Sequence, residues 1–302
     1  MSLRAADISH YQSFRQPIIW PSVIAAGIDL MGIKATEDSG YVDPDFAPNR
    51  QGARPIKYRL FYHWLSPNSP VKDQAFHFLR TIGPLMQGEG TMVDVEEAGD
   101  TAASADEFAD RVEQVTQRPV TGYTGAFFAG GTVWHSPTFY KGGNCGDRAR
   151  IIAAYTDEAH MRQYAAPEVP DMWQYTGTGS LPGIVGAVDL SVVYNTKVFD
   201  VACGYDTKPP VPPTPYDPNH HLFGLWPIAR KANVLVGSSG PAVTYLQDVF
   251  VHQLGYTMTV DGIFGTETDR FVRWFQATHG LMRDGLVGPY TWAEVDKEAQ
   301  KH

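Results

Sequence analysis

Between Tyr205 and Pro218 the chain reads YDTKPPVPPTPYDP, and six prolines in this stretch rule out a helix or a central strand across it. Each proline removes a backbone donor and fixes its own φ, so the segment is held extended as a semi-rigid spacer. No single core can be built through it. The chain is therefore expected to fold as two units, residues 1–204 and 219–302, joined by a proline-rich linker at 205–218. Each side carries enough apolar residues for a core of its own.

Charge narrows the partners. With 33 acidic and 24 basic side chains the formal charge is -9, which argues against neutralising a phosphate backbone, so no nucleic acid partner is expected. The opening MSLRAADISHYQ lacks the apolar stretch of a signal peptide, and no run approaches the roughly 20 apolar residues that span a bilayer. These features predict a protein made in the cytoplasm without membrane insertion. Cys145 and Cys203 form neither a metal pattern nor a CxxC pair and read as plain thiols, and no cofactor is expected.

In the first unit, short apolar segments alternate with helix-like or irregular stretches. Candidate strands are Ala5–Ser9, Leu30–Ala35, Tyr58–His63, Thr91–Val95, Pro119–Thr124, Arg150–Ala154, Met172–Tyr175 and Ala187–Leu190. Eight strands at this spacing suggest an α/β chain with a parallel barrel of the TIM-barrel kind. The later intervals are too short for full crossover helices, so an irregular (β/α) barrel is expected, with a small α-helical domain after the linker. Helical periodicity is clearest over Val71–Ile82, through Phe76, Leu79 and Ile82, and over Ser104–Thr116, through Phe108, Val112 and Val115. Ser104 and Glu107 have the spacing of a capping box. The glycine-rich stretch Phe127–Asp147 reads as a long loop.

Side chains at the C-terminal ends of barrel strands converge on one mouth. Asp7, His63, Asp94, Glu96 and Asp189 stand at such ends, with Tyr123, Trp173, Gln174 and Tyr175 near others. In GEGTMVDVEEAGD a strand period of two puts Asp94 and Glu96 on one face, roughly 6 to 7 Å apart at Cα. Two carboxyls this close disfavour double ionisation, so one acid can stay protonated near neutral pH. Glycosidic cleavage needs such a proton donor and a second group that stabilises charge at the anomeric carbon. Glu96 is the candidate acid because of its longer reach, and Asp94 its tuning partner. A bare DxE is also a common solvated strand end; its coincidence with Asp7 and Asp189 gives it weight. Tyr62, Trp64, Tyr123, Trp173 and Tyr175 are candidate substrate-binding residues, since their rings pack on sugars while their polar edges hydrogen-bond.

At these residues the sequence resembles the glycoside hydrolase family 25 lysozymes, or Chalaropsis-type muramidases. The stretches ADISHYQ, MGIKATEDSGYVDPDF, FYHW, MVDVEE, TGYTG, MWQY and AVDLS carry the likeness in the family's order, over roughly residues 5–200. FYHW departs from the commoner endings at a groove-lining position. The resemblance implies an irregular barrel that hydrolyses the β-1,4 bond between N-acetylmuramic acid and N-acetylglucosamine with retention. It puts the acid/base on Glu96, the motif aspartate on Asp94, and the first- and last-strand aspartates on Asp7 and Asp189. Two routes to retention stand open, attack by an aspartate or by the substrate's own 2-acetamido oxygen, and the second, assisted by Asp189, is favoured.

Beyond the linker, Val243–Leu254 has helical spacing. Two DGxxG units follow, at Asp261 and Asp284, each with a threonine at the same offset, Thr268 and Thr291. The repeat suggests two tight glycine turns, each feeding a helix, around a core of Phe271, Trp274, Phe275 and Trp292. This part resembles the peptidoglycan-binding domain 1 family over roughly residues 240–296. HHLFGLWPIA, ahead of it, reads as an extension of the module.

Competing readings are a peptidoglycan amidase or peptidase and a non-catalytic wall-binding protein. The first has no HExxH, and His220 and His221 sit beside the linker, a poor place for a preformed zinc site. The second has no need of a matched acid pair. A wall hydrolase without a signal, carrying its own targeting module, looks like a phage endolysin: a monomer held in the host cytoplasm until lysis, released by a holin onto bacterial peptidoglycan; a bacterial autolysin exported by another route would have the same two domains.

Overall fold

The computed structural model describes residues 3–14, 16–126, 148–165, 169–206 and 233–300. Residues 207–232, which hold most of the linker and HHLFGLWPIA, and the glycine-rich 127–147, with Cys145, lie outside the described residues. The chain separates into two compact units, Met1–Val211 and Pro212–His302.

Among the described residues nine strands build the first unit: β1 Leu3–Ile8, β2 Leu30–Glu37, β3 Tyr41–Val42, β4 Tyr58–Trp64, β5 Glu89–Asp94, β6 Val120–Gly125, β7 Arg150–Ala153, β8 Met172–Gly179 and β9 Val188–Val193. They run in the order β1-β9-β8-β7-β6-β5-β4-β2-β3, and a β1–β2 pairing closes the barrel. All eight expected strands are present. The short β3 folds back on β2 as an antiparallel extension.

The barrel is irregular, as expected, but the TIM-barrel label does not hold. Strand β9 runs antiparallel to both its neighbours, β8 and β1. Gly179 ends β8 and Val188 begins β9, and so short a connection makes a hairpin, whereas a parallel return needs about a dozen residues or more.

Alternation sorts the barrel's side chains into two faces. Inward, Leu30, Tyr58, Leu60, Met92, Ile151, Met172 and Val193 form one buried cluster, joined by Phe199 and Cys203 from helix Thr196–Ala202 and its cap. The fit there is tight, because a Cβ on Gly90 would come within 2.9 Å of the Ala202 carbonyl. Outward, β4 presents His63 to the helices Val71–Ile82 and Ala102–Thr116. His63 is fully buried and stacks on Phe108 at 4.7 Å between ring centroids. Its Nδ1 meets Thr36 Oγ1 at 2.8 Å and its Nε2 meets Gln74 Oε1 at 3.0 Å. His63 is thus a core residue, and burial drives its pKa down to about 3.

Two helix details differ from the sequence reading. The cap of the second helix is Thr101, whose side chain accepts from Ser104 N while Ser104 returns a bond to Thr101 N, so the capping box lies one turn earlier than Ser104 and Glu107. Phe76 is 37% exposed, and Phe78 takes its place in the core beside Phe108.

In the second unit, helices Pro241–His252, Thr266–Thr278 and Pro289–Ala299 enclose Val243, Leu246, Phe250, Phe271, Phe275 and Trp292. Leu254 falls beyond the first of these. The glycines of both DGxxG turns adopt positive φ, 71° at Gly262 and 75° at Gly285. A buried glutamine locks each turn. Gln247 Nε2 donates to Asp261, Ile263 and Thr268, and its Oε1 accepts from Gly262 N at 2.8 Å. Gln276 repeats the arrangement with Asp284, Leu286, Thr291 and Gly285.

Phe108→Ala removes the ring on which His63 stacks and should destabilise the barrel by about 3–5 kcal/mol in urea denaturation. Phe76→Ala, on the exposed side of its helix, should change stability by about 0.5 kcal/mol or less.

Candidate active site

The reversed strand decides where the acids meet. Asp7, near the end of β1, pairs in register with Asp189, near the start of β9. The sequence reading put Asp189 at the far end of a parallel strand; the residue is in the mouth because β9 enters from that end. Room for Asp7 comes from Gly32 on the neighbouring β2, where a Cβ would stand 2.7 Å from the Asp7 Cβ.

Asp7 is held from two sides. Gln174 Nε2 donates to Asp7 Oδ2 at 3.3 Å, and Tyr123 OH donates to Gln174 Oε1 at 2.5 Å. Asp7 and Asp189 also share a hydrogen bond. Burial, then the charge of Asp189, holds the Asp7 carboxyl well above the usual range. Asp189 is raised by burial but drawn back by hydrogen bonds from Asp7 and Gln174. Asp7 and Asp189 thus titrate as one coupled pair, with burial raising both.

The second pair is on β5. Asp94 ends the strand, 5% exposed, and its Oδ1 has no hydrogen-bond partner among the described residues. Burial raises its pKa, followed by the charges of Glu96 and Asp7, with Lys34 opposing. Glu96 lies two residues further on, in the mouth and partly exposed. Burial and then Asp189 lift its pKa to about 7. Glu96 is thus poised to gain or lose a proton near neutrality.

The aromatics divide. Tyr62 and Tyr123 are inside the barrel, and both phenols are pushed well up by burial and then by the surrounding acids. Trp64 pairs in register with Asp94, and Lys34 Nζ lies 5.3 Å from its ring centroid. Trp173 and Tyr175 do not join them. Trp173 points away from Gln174 on the opposite face of β8, 8% exposed, packs with Ile152, Ala154 and Met161, and donates its indole N–H to Ala154 O at 2.8 Å. Tyr175 packs edge-on against Trp173. Trp173 is a core residue of the outer layer, and the strand period of two is the reason.

Two residues at the mouth escaped the sequence reading. Lys34 is a buried cation inside β2, 2.6 Å from Glu37. Tyr155 follows β7, and burial, then Asp189 and Glu96, raise its pKa to about 12. Its hydroxyl and Asp189 Oδ1 flank Gly177, where a Cβ would stand 3.0 and 3.1 Å from them. An aromatic just past a strand end was the available signal for Tyr155; Lys34 gave none. Among the described residues no cluster of three or more His, Cys, Asp or Glu has the geometry of a metal site, and no helix is long and apolar enough to cross a membrane.

Comparison with known proteins gives the following. The profile of glycosyl hydrolases family 25 matches residues 6–184, and that of a peptidoglycan binding domain matches residues 239–294. The protein YegX of Escherichia coli O157:H7 is 31% identical over 214 residues, covering 65% of this chain and 71% of its own. The autolytic lysozyme of Clostridium acetobutylicum is 24% identical over 267 residues, 86% of this chain and 69% of that protein. In fold, the bacterial lysozyme from Streptomyces coelicolor superposes with a TM-score of 0.57 at 24% identity, over 68% of this chain and 99% of its own.

A raised pKa means that the folded barrel holds the Glu96 proton more tightly than the unfolded chain does. Ionisation then favours unfolding, so this contribution to stability is lost as pH climbs from the ordinary carboxyl range through about 7. Glu96→Gln should raise stability in urea at pH 8 by on the order of 1–3 kcal/mol, and the two proteins should coincide near pH 4.

Proposed function

The chain belongs to glycosyl hydrolase family 25, and from that membership we propose that it is an endo-acting N-acetylmuramidase of the lysozyme type. Its substrate is the β-1,4 bond between N-acetylmuramic acid and N-acetylglucosamine in bacterial peptidoglycan, cleaved with retention. The observation that carries this reading is the meeting of four acids at one mouth: Asp7 and Asp189 paired in register across β1 and β9, with Asp94 and Glu96 at the end of β5.

Glu96 gives its proton to the glycosidic oxygen, and the leaving sugar departs as the alcohol. The carbonyl oxygen of the substrate's 2-acetamido group bonds to the anomeric carbon as the C–O bond breaks, forming a cyclic oxazolinium. Asp189 accepts from the acetamido N–H and offsets the positive charge, while Asp7 holds Asp189 in place through their shared proton. Burial and Asp189 keep Glu96 protonated, and Asp94, two residues before it, orients it. Water then attacks the anomeric carbon, giving its proton to Glu96, and two inversions yield net retention. Tyr62, Trp64 and Tyr123 line the sugar path.

Residues 1–204 form the catalytic part in this reading, 205–218 the linker, and 219–302 a wall-binding module that keeps the barrel at its polymer. The pairing of hydrolase and binding module supports the role of an endolysin: a monomer stored in the host cytoplasm and released by a holin. Co-expression tests this role, with lysis expected when a holin is present and not without one.

Mass spectrometry of fragments released from purified peptidoglycan, after borohydride reduction, tests the chemistry. Reduced muramic acid ends are expected from the intact protein and not from Glu96→Gln. Reduced glucosamine ends would instead mean a glucosaminidase, and free peptides an amidase. Activity should fall as pH rises through about 7, where Glu96 loses the proton it must donate.

A further inference from the structure

Strand β8 carries a glycine that its backbone does not require. Gly177 is not among the glycines with positive φ, so its conformation is open to residues with a side chain. It lies in a bulge: Thr176 pairs with Leu190 and Gly179 with Val188, which sets Gly177 and Thr178 opposite the one residue Asp189. The reason for the glycine is what crowds it. A Cβ there would stand 3.0 Å from the Tyr155 hydroxyl, 3.2 Å from its Cζ and 3.1 Å from Asp189 Oδ1. Phenol and carboxylate thus converge on one bare stretch of backbone at the mouth.

Tyr155 is held in this position through its neighbour. Ala154 donates its N–H to Gln174 O at 3.0 Å, and its carbonyl accepts from the Trp173 indole at 2.8 Å. Trp173, a core residue, thereby pins the segment from which Tyr155 reaches the mouth. Tyr155 is 63% exposed, and its hydroxyl has no hydrogen-bond partner among the described residues. A pKa of about 12, raised by burial and then by Asp189, Glu96, Asp7 and Asp94, keeps the proton on its oxygen. An unused donor therefore stands beside a carboxylate acceptor where Gly177 has no side chain to fill the space.

A secondary amide presents the complement, with an N–H on one side and a carbonyl oxygen on the other. We propose that Tyr155 is the second arm of a clamp on the substrate's 2-acetamido group: its hydroxyl donates to the acetamido carbonyl oxygen while Asp189 Oδ1 accepts from the N–H. The bond takes one lone pair of that oxygen and leaves the other for the anomeric carbon. Tyr155 thus aims the attacking atom and transfers no proton. The inference rests on the muramidase reading of the mouth and names the residue that makes it demand an N-acetyl group.

Release of muramic acid ends from soluble uncross-linked peptidoglycan strands by the full chain tests it. Tyr155→Phe should lower kcat/KM about tenfold, the loss of one hydrogen bond. Gly177→Ala puts a methyl group between the two arms and should lower it at least as far, and adding Tyr155→Phe to it should cost nothing more. Competitive inhibition by the product disaccharide separates a grip on the acetamido group from a structural role. In Tyr155→Phe the inhibition constant should rise about tenfold for this disaccharide and stay unchanged for the same disaccharide stripped of its N-acetyl groups. A kcat/KM for Tyr155→Phe within about twofold of the parent, or equal rises for both disaccharides, would overturn the role of Tyr155 while leaving the muramidase reading intact. Failure of the intact protein to release muramic acid ends from any wall would overturn that reading itself.

Discussion

The antiparallel pairing of β9 with β1 is the contact on which the site depends. It sets Asp7 and Asp189 opposite one another in register, with the glycine at position 32 leaving Asp7 its space. Two carboxyls so placed are coupled: burial and Asp189 hold Asp7 well above its usual range, and Asp189 also lifts Glu96 across the mouth. A parallel last strand, entering from the opposite end, would have carried Asp189 to the floor of the barrel.

Such a site works against the fold that carries it. Asp7 and Asp94 are buried with raised pKa values, and Asp94 Oδ1 has no hydrogen-bond partner among the described residues. Desolvated acids of this kind weaken a native state. The offset comes from elsewhere in the barrel: the aliphatic layer beneath the mouth, and the outer layer where Phe78, Phe108 and the neutral His63 pack between strand and helices. Rigid strands hold the acids in place, so the field at Glu96 needs no rearrangement when a substrate arrives.

The C-terminal module follows a different economy. Its small core is stabilised by two copies of one polar lock, a buried glutamine whose amide satisfies an aspartate, a carbonyl and a threonine while its oxygen holds a glycine N–H. Such fully paired buried groups define a single arrangement of each turn. The copies diverge in the helix ahead of the glutamine, one turn longer in the second, and in the spacing from glutamine to turn aspartate, 14 residues in the first and 8 in the second.

Much of this was legible in the sequence. Short apolar segments located every strand of the closed barrel, and the DGxxG repeat located both turns of the module. The four acids could be named from their strand ends. Facing could not be read as well: a slip of one position moves a side chain to the other side of a sheet, which is why His63 and Trp173 looked like mouth residues and are core. Gln247 and Gln276 carried no signal because their partners are scattered along the chain. By itself the sequence determined the element order, the two-unit division imposed by the prolines, and the identity of the acids, all of which depend on local geometry and covalent spacing. Only the tertiary structure decided the direction of β9, the pairing of Asp7 with Asp189, and the raised pKa of Glu96, because these depend on distances and burial between segments far apart in the chain.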